Sequence, residues 1–175
     1  MAGKRFDGFG AFVDVYLASC ECLREPQDVH RLMLEVAEDA KISGAAWIEV
    51  APSFSFYAQR FGGPFETLKL LAEAAQNAET LTGVGIGLVV SIERQLGTNA
   101  SEDLARLVQR AASKITICDR PAVVGFGLHG PEEGKKEILH CPQSLQTASC
   151  RGRQTLTTSS CFAVRISART VSTSL

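Results

Sequence analysis

The sequence is short of the features that mark several large classes of protein. None of its apolar runs approaches the roughly 18 residues of a membrane-spanning helix. Its formal net charge is only −1, which gives no argument for binding to nucleic acid or to an anionic membrane surface. The segment Met1–Gly8 has two basic residues, but no apolar core of a secretory signal. We therefore expect a cytoplasmic protein whose partners include neither nucleic acid nor a membrane.

The usual zinc ligands are few or poorly spaced. The chain has three histidines, His30, His129 and His140, and six cysteines without a Cys-x-x-Cys pair. A disulfide framework is not expected without a secretory signal. Cys20 and Cys22 would diverge in a predicted helix, so we interpret the cysteines as packed or surface thiols rather than as a metal site.

Acidic residues are missing from the last part of the chain. Residues 1–137 hold all 19 acidic residues and 14 of the 18 basic ones, whereas residues 138–175 have four arginines and no acid. Serine and threonine supply 13 residues of this tail, and no period is defensible between Leu145 and Ser160. A disordered tail is one interpretation. We favour translation from another reading frame; a short strand at Phe162–Ile166 is the only element suggested there.

Before this tail, helical and strand patterns alternate. Helices are predicted from Phe6 to Leu23, from Pro26 to Gly44, from Pro64 onward, and from a capping box at Asn99 and Glu102. The apolar strands between and after them are predicted at 45–51, 84–91 and 122–128. Such alternation predicts an α/β fold with a parallel sheet and helical crossovers. A doubly wound sheet and a β/α barrel both fit, but a complete barrel needs about 250 residues, so only part of one could be present.

A glycine motif follows the last predicted strand. Gly125-Phe126-Gly127-Leu128-His129-Gly130 matches the G-x-G-x-x-G pattern of dinucleotide sites. The following Pro131–Gly134 segment carries two glutamates where phosphates would lie, and no acid follows about 20 residues later as the pattern requires. A dinucleotide site is therefore disfavoured.

The segment Val123–Glu132 instead resembles the strand-end motif of the adenosine deaminase family, Val-Val-Gly-hydrophobic-Asp-Leu-Ala-Gly-x-Glu. Further landmarks resemble the family in order and spacing: Tyr16, Leu23, Pro26–Val29, Glu35–Ala40, Gly44, Trp47–Glu49 and Leu88–Arg94. The similarity covers roughly residues 6 to 134. It implies a partial β/α (TIM-type) barrel with parallel strands over residues 1–134, followed by an aberrant low-complexity tail, irregular or disordered, over residues 135–175.

The resemblance also implies a chemistry. The family hydrolyses adenosine to inosine and ammonia with a zinc-bound water, which requires His and Asp ligands and a carboxylic acid near the purine. The family's His-x-His pair, its later His-Ala-Gly-Glu segment and its Asp pair have no counterpart in these 175 residues. We therefore assign no catalytic residue and no metal ligand, and expect an inactive fragment. The alternative is a non-catalytic interaction module with a disordered tail.

One substrate-binding residue carries over by resemblance. Gly130 matches the family glycine whose backbone contacts the purine, so a purine nucleoside is the implied small-molecule partner; a simple turn glycine is compatible with this role. Gly127 and His129 stand where the family often has Asp and Ala. Ala51 replaces a frequent Arg, and Glu49 is expected to pair with a residue such as Arg94.

The segment 52–63 is rich in aromatic residues and is predicted to be a loop at the carboxyl end of the first strand. It could line an apolar purine pocket. A packed Ω-like loop is an equal alternative.

Overall fold

The computed structural model describes residues 7–93, 97–112, 114–129 and 162–167. Its helices are α1 (Phe9–Cys20), α2 (Pro26–Ile42), α3 (Phe54–Arg60), α4 (Pro64–Thr82) and α5 (Gly97–Ala112). Its strands are β1 (Trp47–Pro52), β2 (Gly85–Glu93), β3 (Thr116–Ile117), β4 (Arg120–Pro121), β5 (Val123–His129) and β6 (Phe162–Ser167).

The main sheet has the strand order β5-β2-β1-β6. β2 runs parallel to both β1 and β5, with Trp47 opposite Gly85 and Glu93 opposite His129. Because β1, β2 and β5 are parallel, their last residues lie together at one end of the strands. We call this end of the sheet the carboxyl edge. The predicted parallel sheet with helical crossovers is confirmed.

The helices α2 and α4 begin and end where local chemistry favours it. Each has proline in its first turn, where the missing N–H costs nothing. Gly44 and Gly83 follow the two helices with φ of 78° and 77°, a conformation that glycine adopts without a Cβ clash. At the start of α2, the Asp28 carboxylate accepts hydrogen bonds from the backbone N–H groups of Glu25 and Arg24, both at 2.9 Å, and these bonds lower its pKa.

The core lies between one face of the sheet and these helices, with α2 packed on α4. Alternate residues of β1 and β2 point into it and are at most 1% exposed: Ile48, Val50, Ile86, Leu88 and Val90. The opposite face of the same strands, the inner face, carries Glu49, Gly87, Val89 and Ser91, because successive side chains of a strand alternate.

One predicted element type and one predicted helix start are wrong. The aromatic segment is not a loop: α3 forms there, because Phe54, Tyr57 and Ala58 stand one helical turn apart and are all buried. The helix predicted to begin at Asn99 begins at Gly97, so Asn99 lies inside its first turn. In addition, β3 and β4, each two residues long, form an antiparallel hairpin that the sequence patterns did not predict.

The tail contributes a strand to the sheet. β6 extends the predicted strand at Phe162–Ile166 by one residue and pairs with β1 in antiparallel orientation. The rest of the tail lies outside the described residues, so its origin and its order stay as predictions. Across the described ranges, no helix is both long enough and apolar enough to cross a membrane.

Candidate functional site

The carboxyl edge is the natural place for a site in this fold. In parallel α/β sheets and β/α barrels, ligands bind where the strands end and the following loops begin. β1, β2 and β5 end there at Pro52, Glu93 and His129. Gly130, the predicted purine contact, directly follows His129 but lies outside the described residues. Its role therefore stays a prediction, now attached to a defined edge of the sheet.

Next to this edge, two glycines of β5 lie opposite Val89 and Ser91 of β2 on the inner face. Gly127 stands opposite Ser91, and a Cβ on Gly127 would lie 2.6 Å from Ser91 Oγ. A Cβ on Gly125 would approach Val89 Cγ2 to 3.3 Å. Only glycine fits at 127 without displacing Ser91, which is buried. The space that side chains at 125 and 127 would take is therefore occupied by Val89 and Ser91 of the neighbouring strand.

The helices α1 and α3 border the carboxyl edge beside β1. Ser53 follows the last residue of β1, and its hydroxyl lies 3.4 Å from the Tyr16 hydroxyl of α1. Arg60, at the end of α3, donates hydrogen bonds to the carbonyl oxygens of Leu23 and, at 3.3 Å, of Cys20. It also pairs with the Glu21 carboxylate at 2.8 Å. These polar contacts hold the end of α1 next to the carboxyl edge.

Two of the three aromatic residues of α3, Phe54 and Tyr57, are buried. Phe54 and Tyr57 are 1% and 3% exposed, which supports the packed alternative over a purine-pocket lining for these two. Burial raises the pKa of Tyr57 to about 12, so its hydroxyl stays protonated at neutral pH. It therefore cannot serve as a general base there.

An ion pair between Glu79 and Arg120 lies at the opposite, amino end of the strands. Glu79 of α4 accepts hydrogen bonds from both Nη atoms of Arg120 and from the backbone N–H of Ile86, the last at 3.2 Å. The Arg120 guanidinium carbon also lies 4.9 Å from the centroid of the Trp47 ring. The hydrogen bonds from Arg120 lower the pKa of Glu79. In β/α barrels this end contributes stability rather than catalysis, and no sequence motif had marked the pair.

The described residues do not fit a zinc site. Within the described ranges, no three His, Cys, Asp or Glu side chains come together in a group that could hold a metal ion. His30 is half-buried, and its Nδ1 lies 3.3 Å from the Asn77 amide nitrogen. Glu49 is half-buried on the inner face, while its predicted partner Arg94 lies outside the described residues. No catalytic step through a metal is derived from these residues.

The cysteines also fail to form such a site. Cys22 and Cys118 are exposed and free, as expected. The expectation of a thiol is wrong for Cys20, which is disulfide-bonded. Formation of that bond removes a thiolate that a metal would need.

The described helices and parallel strands have the architecture of part of a TIM-type barrel, as two solved structures show. A solved adenine deaminase from Arthrobacter aurescens superposes with a TM-score of 0.59 at 22% identity, over 74% of this chain and 37% of that one. A zinc-bound amidohydrolase from Burkholderia ambifaria superposes with a TM-score of 0.52 at 20% identity, over 65% and 29% of the two chains. At these identities the likeness establishes the architecture alone.

The chain belongs to the adenosine deaminase family, whose model matches residues 2–148. A Streptomyces coelicolor protein named as an adenosine/adenine deaminase is 33% identical over 125 residues, which are 71% of this chain and 34% of that protein. The chain thus spans about a third of the length of the curated relatives it matches. The resemblance seen in the segment Val123–Glu132 is confirmed at the level of the family.

Proposed function

We propose that the parallel strands of this chain correspond to one sector of a purine deaminase barrel and supply one wall of a purine-binding site. The observation that carries this proposal is the carboxyl edge, where the parallel strands β1, β2 and β5 end together and the chain continues from β5 into Gly130. The family model and the adenosine/adenine deaminase relative support a small purine nucleoside or base as the ligand.

Gly130 is the residue that we propose to contact the purine. It follows β5 immediately in the sequence, at the carboxyl edge where that strand ends. We infer that glycine serves there both as a turn residue and as the point of closest approach to the ligand.

We further propose that the 175-residue polypeptide does not deaminate its ligand by itself. Zinc as the family's metal is supported by the zinc-bound Burkholderia structure. The described residues of this chain offer no matching set of donors, and its sequence has only three histidines. Hydrolysis needs groups that activate a water and donate a proton at the purine, and we assign no described side chain to either role.

The test combines turnover and binding on the full 175-residue chain. With adenosine or adenine, and with one equivalent of Zn²⁺, we expect no ammonia release above the zinc blank. Ligand-observed NMR should detect weak adenosine binding, with a Kd of about 1 mM or weaker, because a single wall leaves most of the ligand in water.

Variants assign the binding to the proposed place. Gly130→Val should weaken the adenosine signal at least about tenfold, which corresponds to about 1.4 kcal/mol. Gly134→Val, four residues further along, is the matched control and should leave it unchanged. Inosine formation with stoichiometric zinc would refute the inactivity, and absence of any purine binding would refute the pocket wall.

A non-catalytic interaction module remains the second candidate. The observation in its favour is β6, which pairs with β1 in antiparallel orientation where a parallel barrel would have a further parallel strand.

A cytoplasmic location is also part of the proposal. It rests on the sequence composition, and fractionation of cells that express the tagged chain tests it.

A further inference from the structure

The pairing between β6 and β1 is matched position by position. Opposed residues of the antiparallel ladder are Ile48 and Ile166, Glu49 and Arg165, Val50 and Val164, and Ala51 and Ala163. Apolar positions therefore oppose apolar ones, an acidic position opposes a basic one, and a small position opposes a small one. Directly opposed residues share a face of the sheet, so such matching favours this register over a slipped one.

The register also agrees with the layers of the fold. Ile48 and Val50 face the helices and are fully buried. The positions opposite them, 166 and 164, fall on the same helix-facing side of the sheet. A slip by one residue would place position 165, an arginine, on that side. The tail segment 162–167 thus has the alternation of apolar and polar residues that pairing with β1 requires.

The orientation of β6 is incompatible with a closed parallel barrel. In such a barrel every strand has a parallel neighbour on both sides. β1 has one parallel neighbour, β2, and its other side carries the antiparallel β6. While β6 is paired, no further strand can add to β1.

The connection between β5 and β6 has ample length for this arrangement. β5 ends at His129 opposite Glu93, and β6 begins at Phe162 opposite Pro52, so the end of β5 and the beginning of β6 both lie at the carboxyl edge. The two edge strands of a four-stranded sheet lie about 14 Å apart. A chain of this length could extend to roughly 100 Å.

We propose that residues 162–167 are an intramolecular cap, which occupies the open side of β1 and prevents a strand of a second chain from pairing there. Unpaired edges of this kind are sites of edge-to-edge association, and covering them is a known protection. The cap does not depend on purine binding or catalysis, so its test is independent of the proposed function.

The first experiment measures hydrogen exchange in the full chain and in two proline variants. Amide exchange over residues 162–167 should be at least about tenfold slower than in an unstructured peptide. Because successive N–H groups of a strand point to opposite sides, only one of Val164→Pro and Arg165→Pro removes a donor that faces β1. We expect one variant to lose the protection and the other to keep it; Ser172→Pro, beyond β6, is a further control.

The second experiment tests the register through charge. Glu49→Lys and Arg165→Glu each place like charges at opposed positions, and each should speed exchange in β6 and increase self-association. The double variant Glu49→Lys/Arg165→Glu restores opposite charges and should restore both properties. Self-association is read by size-exclusion chromatography with light scattering.

Three results would overturn the proposal. One is exchange over 162–167 at the unstructured rate in the unmodified chain. Another is a double variant no better than the single ones. The third is protection that appears only in a dimer and fades on dilution, because β6 would then pair with β1 of a second copy.

Discussion

At the scale of the residue, the close approach of Ser91 to Gly127 leaves no room for a side chain at position 127. Gly127→Ala places a Cβ 2.6 Å from Ser91 Oγ, and we expect it to lower the free energy of unfolding by about 1–3 kcal/mol. In a Ser91→Ala background the nearest atom of that side chain is its Cβ at 3.6 Å, an ordinary contact. Urea unfolding should therefore show a much smaller cost there.

The control for this substitution is Gly10→Ala in α1, where an added Cβ meets nothing within 4 Å. Alanine has the higher helix propensity, so this variant should not lower the free energy of unfolding. An equal cost of Gly127→Ala with and without the Ser91 hydroxyl would contradict the proposed contact.

The Glu79–Arg120 pair predicts a pH dependence of stability. Hydrogen bonds from Arg120 hold the pKa of Glu79 below its ordinary value of 4.5. A carboxyl group with a lowered folded-state pKa stabilises the fold fully above its unfolded pKa, and this stabilisation is lost as the pH falls through the folded value. Glu79→Gln should cost about 1.5–3 kcal/mol at pH 7, and the difference should shrink below about pH 4.5.

The matched control lies on the same helix. Glu73 forms an exposed pair with Lys69 at 3.9 Å, so Glu73→Gln should change the free energy of unfolding by less than about 0.5 kcal/mol at any pH. Denaturant unfolding of both variants between pH 3 and pH 7 separates the two glutamates. Parallel pH profiles for Glu79→Gln and the unmodified chain would contradict the assignment.

At the scale of the element, the turn that connects β3 and β4 has an unfavourable backbone conformation. Cys118 and Asp119 form its two-residue loop with φ of 45° and 64°, a conformation that suits Asn-Gly. Cys118→Asn/Asp119→Gly should raise the free energy of unfolding by about 1 kcal/mol, since it removes the strain of positive φ. Asp119→Ala should lower it; equal effects of Gly and Ala at 119 would contradict the turn assignment.

The elements differ in how far the sequence could predict them. α2 and α4 were predictable because Pro26 and Pro64 begin them and glycines with positive φ follow them. α3 has only two turns, and its aromatic residues suit a loop as well as a helix. The β3–β4 turn lacks the expected Asn-Gly pair, which is why the hairpin was not predicted.

At the scale of the whole molecule, contacts that join distant segments escaped the sequence. The motif at 123–132 predicted the family and the edge where a site would lie, because it is continuous in the chain. The Glu79–Arg120 pair and the Arg60 contacts with α1 join residues about 40 positions apart, and nothing local to either partner indicates the other. β6 was only a weak prediction for the same reason: its stability depends on pairing with β1.

The distance between β1 and β6 along the chain has a consequence for biosynthesis. β1 ends at residue 52 and β6 begins at residue 162, about 110 residues later. A ribosome that adds about 5–20 residues per second needs roughly 6–20 s to make that stretch. During this interval β1 leaves the ribosome, whereas β6 has not yet been synthesised. Nascent chains on one messenger are close neighbours at that stage, so the speed of translation through the second half of the message should influence the yield of folded protein.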